Sequence, residues 1–371
     1  MAMVEEQQLE PAARDDAYQR RVREALDAVF ARSGNEPLLL DGEKDRYVVF
    51  SDQHRGIRNS TDAFRDNERA YNAALAWYYR AGYTLVVLGD AEELWENHPP
   101  SVLKVYEHSL ALEAQFHREG RYYRVWGNHD DEWQHREPTE KHLQPRYGPP
   151  RLPVQESLRF VVRCGGKEAG ELFMVHGHQG SSMSDRWSRY SRLAVRFFWR
   201  PLQRLFKVSY NTPAQDWMLR ERHNIALYSW AARRQRFVLI AGHTHRPVFE
   251  SQSRATQLRE ELAAVEAKLA EAPDDEHLRR YAASLAAELE WVRAQDRQRP
   301  GLEGAMGLAP NPCYFNTGCC CFSDGSITGI ELDEGEIRLV RWPDHDGRPK
   351  PTVLERDTLQ GVFDRCVATA T

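Results

Sequence analysis

Short apolar runs alternate with longer amphipathic stretches along most of this chain. Tyr47–Ser51, Thr84–Leu88, Tyr122–Trp126, Leu172–Val175 and Phe237–Ala241 are four- or five-residue runs rich in apolar or β-forming residues, the lengths expected of strands. Asp62–Arg80 and Ser101–Arg118 lie between the first three and read as helices. That opening is β-α-β-α-β, which predicts a right-handed parallel sheet. Leu158–Arg163 and Glu171–Val175 flank Gly165-Gly166 and read as a hairpin. The stretch from Asn311 to Val340 alternates, is punctuated by glycine and predicts closing strands. Before the first strand, residues 11–33 carry Tyr18, Val22, Leu26, Val29 and Phe30 at helical spacing, with Gly34 as the stop. The tail after Pro343 is polar, with scattered prolines, and predicts no element.

Each of the five apolar runs ends by delivering a side chain suited to metal binding. In order the motifs are Asp52-Gln53-His54, Gly89-Asp90, Gly127-Asn128-His129-Asp130, His176-Gly177-His178 and Gly242-His243-Thr244-His245. An open α/β sheet presents its ligands in this way, at the carboxyl ends of its strands. Any one of these motifs is ordinary, since Gly-Asp suits a turn and Asn-His-Asp suits a loop. Five in sequence, each closing an expected strand, are a different matter. Asp52, His54, Asp90, Asn128, His176, His243 and His245 combine imidazole, carboxylate and amide oxygen without thiolate. That mixture suits manganese, iron, zinc or cobalt better than calcium or a Cys-built structural zinc. Seven ligands exceed one tetrahedral ion. With one bridging carboxylate they divide into two sets of four, for two ions roughly 3.5–4 Å apart.

The order D-x-H, G-D, G-N-H-D, H-G-H, G-H-T-H resembles the calcineurin-like metallophosphoesterase superfamily over about Arg46 to Pro247. The resemblance implies that Asp52, His54, Asp90 and His245 hold one divalent ion and that Asp90, Asn128, His176 and His243 hold the other, with Asp90 the bridge. Manganese is the expected metal. It also implies that His129 contacts the scissile phosphate and helps the leaving group, with Asp130 as the partner that orients it. A hydroxide bridging two cations would then attack phosphorus in line with the leaving oxygen, with no side-chain nucleophile. Asn128, Arg55 and Arg246 are the expected substrate-binding residues, because guanidinium suits phosphoryl oxygens. The implied fold is α/β, a metallophosphoesterase-type layered β-sheet core with flanking helices.

Two further segments distinguish the chain. In Asp185–Tyr210, Arg186, Arg189, Arg192, Arg196, Arg200, Arg204 and Lys207 recur every three or four residues, interleaved with aromatic and aliphatic residues. Two readings stand side by side: an interfacial helix or lid over an anionic amphiphile, or a helix packing its aromatic face on the sheet. Its place between the His176 and His243 motifs is similar to the layout of the UDP-2,3-diacylglucosamine hydrolases of lipid A synthesis, in which a helical cap at this point receives acyl chains. The last motif, through Arg246-Pro247, also resembles that family. The chain departs from it with His129 where an arginine is usual, His178 where an aspartate is usual, and an insertion after the cap. In that insertion, Ser253–Arg299, Leu258, Leu262, Val265 and Leu269 form one stripe and Leu278, Tyr281, Leu285, Leu289 and Val292 another, either side of Ala272-Pro273-Asp274-Asp275. It reads as an antiparallel helical hairpin, which either packs within the monomer or supports a homodimer.

The expected organisation is an N-terminal helical extension (1–40), a metallophosphoesterase domain (41–343) with a helical cap (183–236) and a helical hairpin (253–299), and a C-terminal tail (344–371). A chain of 371 residues can bury such a core. Net charge of −5 gives no global attraction to nucleic acid or anionic lipid. No apolar h-region opens the chain and no run of about 18 apolar residues exists, so a cytoplasmic location is expected, peripheral at the inner membrane face if the basic segment is interfacial. Six cysteines, Cys164, Cys313, Cys319, Cys320, Cys321 and Cys366, lack a C-x-x-C pair. They are expected to be reduced and mostly buried, the triplet diverging too much to share an ion. Three functions follow: hydrolysis of a phosphodiester or pyrophosphate bond, with a lipid-linked nucleotide as one candidate substrate; nuclease or cyclic-nucleotide phosphodiesterase activity; and a non-catalytic scaffold. The full ligand set with His129 argues against the last.

Overall fold

A computed structural model of the chain describes residues 11–34, 37–181, 213–271, 275–297, 311–344 and 347–367. From the N-terminal side come helix Pro11–Arg32 (α1), Leu38–Asp41 (β1), Tyr47–Phe50 (β2), helix Glu68–Arg80 (α2), Thr84–Leu88 (β3), helices Pro99–Val105 (α3) and Glu107–Arg118 (α4), and Tyr122–Val125 (β4). Then follow Val154–Gln155 (β5), Ser157–Cys164 (β6), Lys167–Val175 (β7), helix Pro213–Ala231 (α5), Phe237–Ala241 (β8), Pro247–Phe249 (β9) and Gln252–Ser253 (β10). Helices Arg254–Glu271 (α6) and Glu276–Arg297 (α7) precede Tyr314–Thr317 (β11), Ile327–Asp333 (β12), Glu336–Trp342 (β13), Thr352–Thr358 (β14) and helix Leu359–Arg365 (α8).

The strands form two seven-stranded sheets, ordered β1-β6-β7-β8-β11-β9-β10 and β14-β13-β12-β2-β3-β4-β5. Strands β2, β3 and β4 pair in parallel, as the β-α-β-α-β reading requires. The Gly165-Gly166 hairpin is the antiparallel β6–β7 pair. Successive residues of a strand point to opposite faces. Accordingly Val49, Val86 and Leu88 join Phe160, Leu172 and Met174 in a core between the sheets, whereas Val48, Phe50, Leu85 and Val87 join Tyr71, Leu75 and Leu110 beneath α2 and α4. Burial on both faces explains why these strands read as unbroken apolar runs. The α/β layered core with flanking helices is therefore as expected.

Several expected boundaries shift. Helix α2 begins at Glu68 rather than Asp62, because the Asp62 carboxylate accepts the backbone N–H of Arg58 (2.6 Å) and Phe64 (3.1 Å), a local turn that competes with helix. The 1–40 extension is tied into the body: β1 pairs with β6, and Val22, Leu26 and Val29 of α1 are buried with Leu227 and Trp230 of α5. The end of the expected cap, with Leu227, Trp230 and Ala231, thus belongs to this packed layer. The basic stripe from Arg186 to Lys207 lies outside the described residues. The tail is folded too, with β14 extending a sheet and Leu359, Val362 and Phe363 of α8 buried. The insertion is a helical hairpin with a small core of its own, Leu258 and Val265 against Leu285 and Leu289. Ala282 packs there in place of the expected Tyr281, which is 40% exposed. No described helix is long and apolar enough to cross a membrane.

Candidate metal centre

Strands β2, β3 and β4 of one sheet and β7 and β8 of the other end at a common edge, and the five motifs meet there. Backbone bonds join the loops: Asp52 N–H to Gly89 O (3.1 Å), His54 N–H to Asp90 O (2.9 Å) and Gly242 N–H to His176 O (2.9 Å). Glycines precede three of the ligand segments for a steric reason. A Cβ on Gly89 would stand 2.6 Å from the His176 ring, and one on Gly242 would stand 2.6 Å from Asp52 Oδ2. Asp52, His54, Asp90, His243 and His245 all have φ between 50° and 67°. Left-handed backbone at non-glycine residues costs about 1–3 kcal/mol each and persists where the surroundings enforce it, which is characteristic of binding sites.

Among the described residues four donor groups result, and two of them carry the expected aspartates. In one, single atoms of Asp52, His54 and His245 lie within 4.8 Å of one another; in the other, those of Asp90, His176 and His243 do. His54 Nε2 is 3.0 Å from His245 Nε2, and Asp52 Oδ1 is 3.1 Å from the latter. Donors on one ion with bonds of 2.0–2.2 Å are spaced by roughly 3 Å, so these separations fit a shared cation. Asp90 Oδ2 lies 3.0 Å from His176 Nε2 and 3.7 Å from His54 Nε2, facing both groups. Asp52 Oδ1 and both amide atoms of Asn128 are buried without hydrogen-bond partners. A buried unmatched polar atom costs about 1–3 kcal/mol, and a cation in these groups would remove that cost at the two oxygens, though not at the amide nitrogen. Six of the seven expected ligands therefore fall into two groups of the kind that divalent ions fit, and Asn128 lies on the loop that Asp90 holds.

The outward ring nitrogens set which nitrogen faces the centre. His176 Nδ1 donates to Leu88 O at 2.9 Å. His54 Nδ1 is 3.3 Å from Glu93 Oε2, and His245 Nδ1 is 3.6 Å from Cys321 Sγ. Burial lowers the pKa of His176, but Asp90 and Asp52 overcome this and push it up to about 9. Burial and the neighbouring His176 hold His178 down at about 3. His178 is therefore a neutral, buried imidazole beside the second group, its ring 5.5 Å from that of His176.

Two expected roles need correction. Asp130 does not face the His129 ring. Its carboxylate accepts backbone N–H groups of Gly127 (2.7 Å) and Ala91 (2.9 Å), stapling the Gly89-Asp90 loop to the Gly127–Asp130 loop. The partner of His129 is Glu93, whose Oε2 is 2.7 Å from His129 Nδ1. Burial pushes the Glu93 carboxyl up, yet His129 and His54 outweigh it and hold it down at about 2. Trp95 stacks on the His129 ring at 3.9 Å. Glu93 was missed although it follows Asp90 by three residues, and His223, in contact with Gly177 O and 2.8 Å from Tyr18 OH, had no motif to mark it.

Arg55 is the second correction. It is 0% exposed, paired with Glu92 (3.0 Å) and Glu113 (2.6 Å), so it cannot reach a substrate. With Arg124, which pairs with Glu92, it forms a buried charge network beneath the site. Arg55→Ala is expected to destabilise the fold by ~3–5 kcal/mol, since both carboxylates lose a buried partner. Urea unfolding measures this; unchanged stability with lost activity would restore the substrate-binding role. Arg246 is half-buried beside His245 and keeps its candidacy. Cys319 and Cys321 do converge, against expectation, because residues two apart on a non-helical loop share a side. All six thiols are free and five are buried.

Fold and donor set together define a metal-dependent phosphoester hydrolase. The profile of the calcineurin-like phosphoesterase family matches residues 46–247, more than half of the chain, and the chain belongs to that family. Among solved structures it is similar to Vacuolar Protein Sorting 29 from Cryptosporidium parvum, with 10% identity, 85% of this chain and 98% of that one covered, and a TM-score of 0.32. It is also similar to a dimetal phosphatase from Danio rerio, with 11% identity, 82% and 96% covered, and a TM-score of 0.36. No curated protein matches it.

Proposed function

We propose that this chain hydrolyses a phosphodiester or pyrophosphate bond, with two divalent ions, manganese foremost, held by Asp52, His54, Asp90, Asn128, His176, His243 and His245. The observation that carries the reading is the convergence of two donor groups on Asp90, with Asn128 buried and unpartnered beside them. When bound, the ions supply Lewis acidity, neutralising phosphoryl charge and making water a better nucleophile. The chain's own residues do the rest. His129, with its pKa raised because Glu93 and Asp90 outweigh the effect of burial, carries a proton to offer the leaving oxygen. Glu93 orients that ring and also receives His54 Nδ1, so one carboxylate positions a ligand and the proton donor together. Arg246 and Asn128 are the groups for phosphoryl oxygens.

A lipid-linked nucleoside diphosphate is the substrate class that the basic, aromatic residues 185–210 favour, and contact with the inner membrane surface would follow. The test is manganese-dependent hydrolysis of UDP-2,3-diacylglucosamine beside an aryl phosphodiester and single-stranded DNA, in water labelled with oxygen-18. Expected are UMP and lipid phosphate, one of them labelled, with slower aryl turnover. Aryl turnover alone discards the lipid-linked substrate. Salt-sensitive cleavage of DNA alone puts a nuclease in its place. Inactivity on all three, with two ions bound, overturns the proposal.

A further inference from the structure

The loop after β11 carries Cys319, Cys320 and Cys321. It is pinned on both sides: Cys320 N–H donates to Asp52 O (3.2 Å), and Cys319 O accepts from Thr328 N–H (3.1 Å). Cys320 enters the core beneath the β2 sheet. Cys319 and Cys321 turn the other way, and one donor atom from each lies with one from His245 inside a 4.8 Å group. Zn–S bonds of ~2.3 Å and Zn–N bonds of ~2.0 Å place tetrahedral donors roughly 3.5–3.8 Å apart. Cys321 Sγ and His245 Nδ1 already stand 3.6 Å apart. Two sulfurs and an imidazole are a soft set, whereas Asp52 and His54 on the other edge of the same ring are not. Cys321 and His245 are only half-buried, which leaves an approach for an ion.

We propose that Cys319, Cys321 and Nδ1 of His245 form a site for a thiophilic divalent cation of the zinc or cadmium class, and that filling it withdraws His245 from the Asp52–His54 group. The competition follows from the tautomers. A neutral imidazole carries one lone pair. If Nε2 faces Asp52 and His54 as a ligand, Nδ1 holds the hydrogen; if Nδ1 faces the sulfurs as a ligand, Nε2 holds it. One neutral ring therefore serves one site at a time. The two thiols release their protons to solvent as the cation binds. The soft site needs no other part of the dimetal centre, but the competition rests on His245 being a ligand there.

The experiment is a cadmium titration of the full chain, freed of metal by chelation, followed by the ultraviolet thiolate-to-cadmium charge-transfer band. Manganese binding is read separately by electron paramagnetic resonance. Expected is a band saturating at one cadmium per chain, absent in Cys319→Ser and in Cys321→Ser and kept in Cys366→Ser, whose thiol is buried elsewhere. Excess manganese should weaken cadmium binding at least about tenfold. Circular dichroism verifies folding, and if the buried Cys319 variant unfolds, the half-buried Cys321 variant decides alone. A band that survives in Cys321→Ser, or no band in a wild-type chain that binds manganese, overturns the soft site. A band that manganese leaves unaltered, with two manganese ions bound, overturns the competition. A band without any manganese binding keeps the soft site and overturns the dimetal reading instead.

Discussion

Replacing Asp90 by alanine is expected to empty both halves of the metal centre and to lower kcat/KM by at least ~10³-fold. The Asp90 carboxylate faces ring nitrogens of both donor groups. Its Oδ2 is 3.0 Å from His176 Nε2 in one and 3.7 Å from His54 Nε2 in the other. Its Oδ1 accepts the backbone N–H of His129 at 2.8 Å, so the same carboxylate also holds the Asn128–His129 loop. Loss of several kcal/mol of transition-state charge stabilisation is the scale expected where bound cations do this work, and ~4 kcal/mol corresponds to ~10³ in rate. Metal content per chain, measured by mass spectrometry on the purified variant, is the direct readout. His54→Ala should retain more metal, because Asp90, Asn128, His176 and His243 remain as a set. Two ions per chain in Asp90→Ala would end the assignment of Asp90 as the bridge.

The donor set was legible because each ligand follows a strand, and a strand end has few ways to turn. An apolar run such as Phe237–Ala241 declares its strand, and the next residues must lie at the sheet edge. Contacts made across the fold left no such mark. Arg55 looked available for phosphate because it follows His54, but Glu113, 58 residues later, meets it in the interior. Asp130 looked like the partner of its neighbour His129, yet its carboxylate is taken by the backbone of the loop it closes. Strand β14 escaped notice for a different reason. None of its residues is fully buried, so Thr352–Thr358 shows no apolar alternation and its polar sequence reads as a tail. Three adjacent cysteines diverge as a unit, but the fold uses two of them on one side and one on the other.

His129→Ala should lower kcat by ~10²–10⁴ while leaving two ions bound, the usual loss when a positioned proton donor is removed. The ring is 19% exposed on its side chain, stacked on Trp95 and paired with Glu93, and it groups with Glu93 and His54 rather than with Asp52 or Asp90. Glu93→Gln should cost less, ~10–100-fold, the range for a residue that orients a ligand or a reacting group. The two variants separate further with pH. Glu93 raises the His129 pKa, first in overcoming burial and jointly with Asp90, so protonated His129 persists to higher pH in the native chain. If the protonated ring is the active donor, kcat falls as pH rises through that pKa. Without the negative charge of Glu93 the pKa drops, and the fall must begin at lower pH in Glu93→Gln. A leaving group that departs as a stable anion, such as nitrophenolate, needs no proton, so both variants should lose much less on an aryl ester than on an alkyl one. Equal losses on the two esters, or an unmoved pH limb in Glu93→Gln, would remove His129 from the proton-donor role and leave Glu93 as a support for His54 alone.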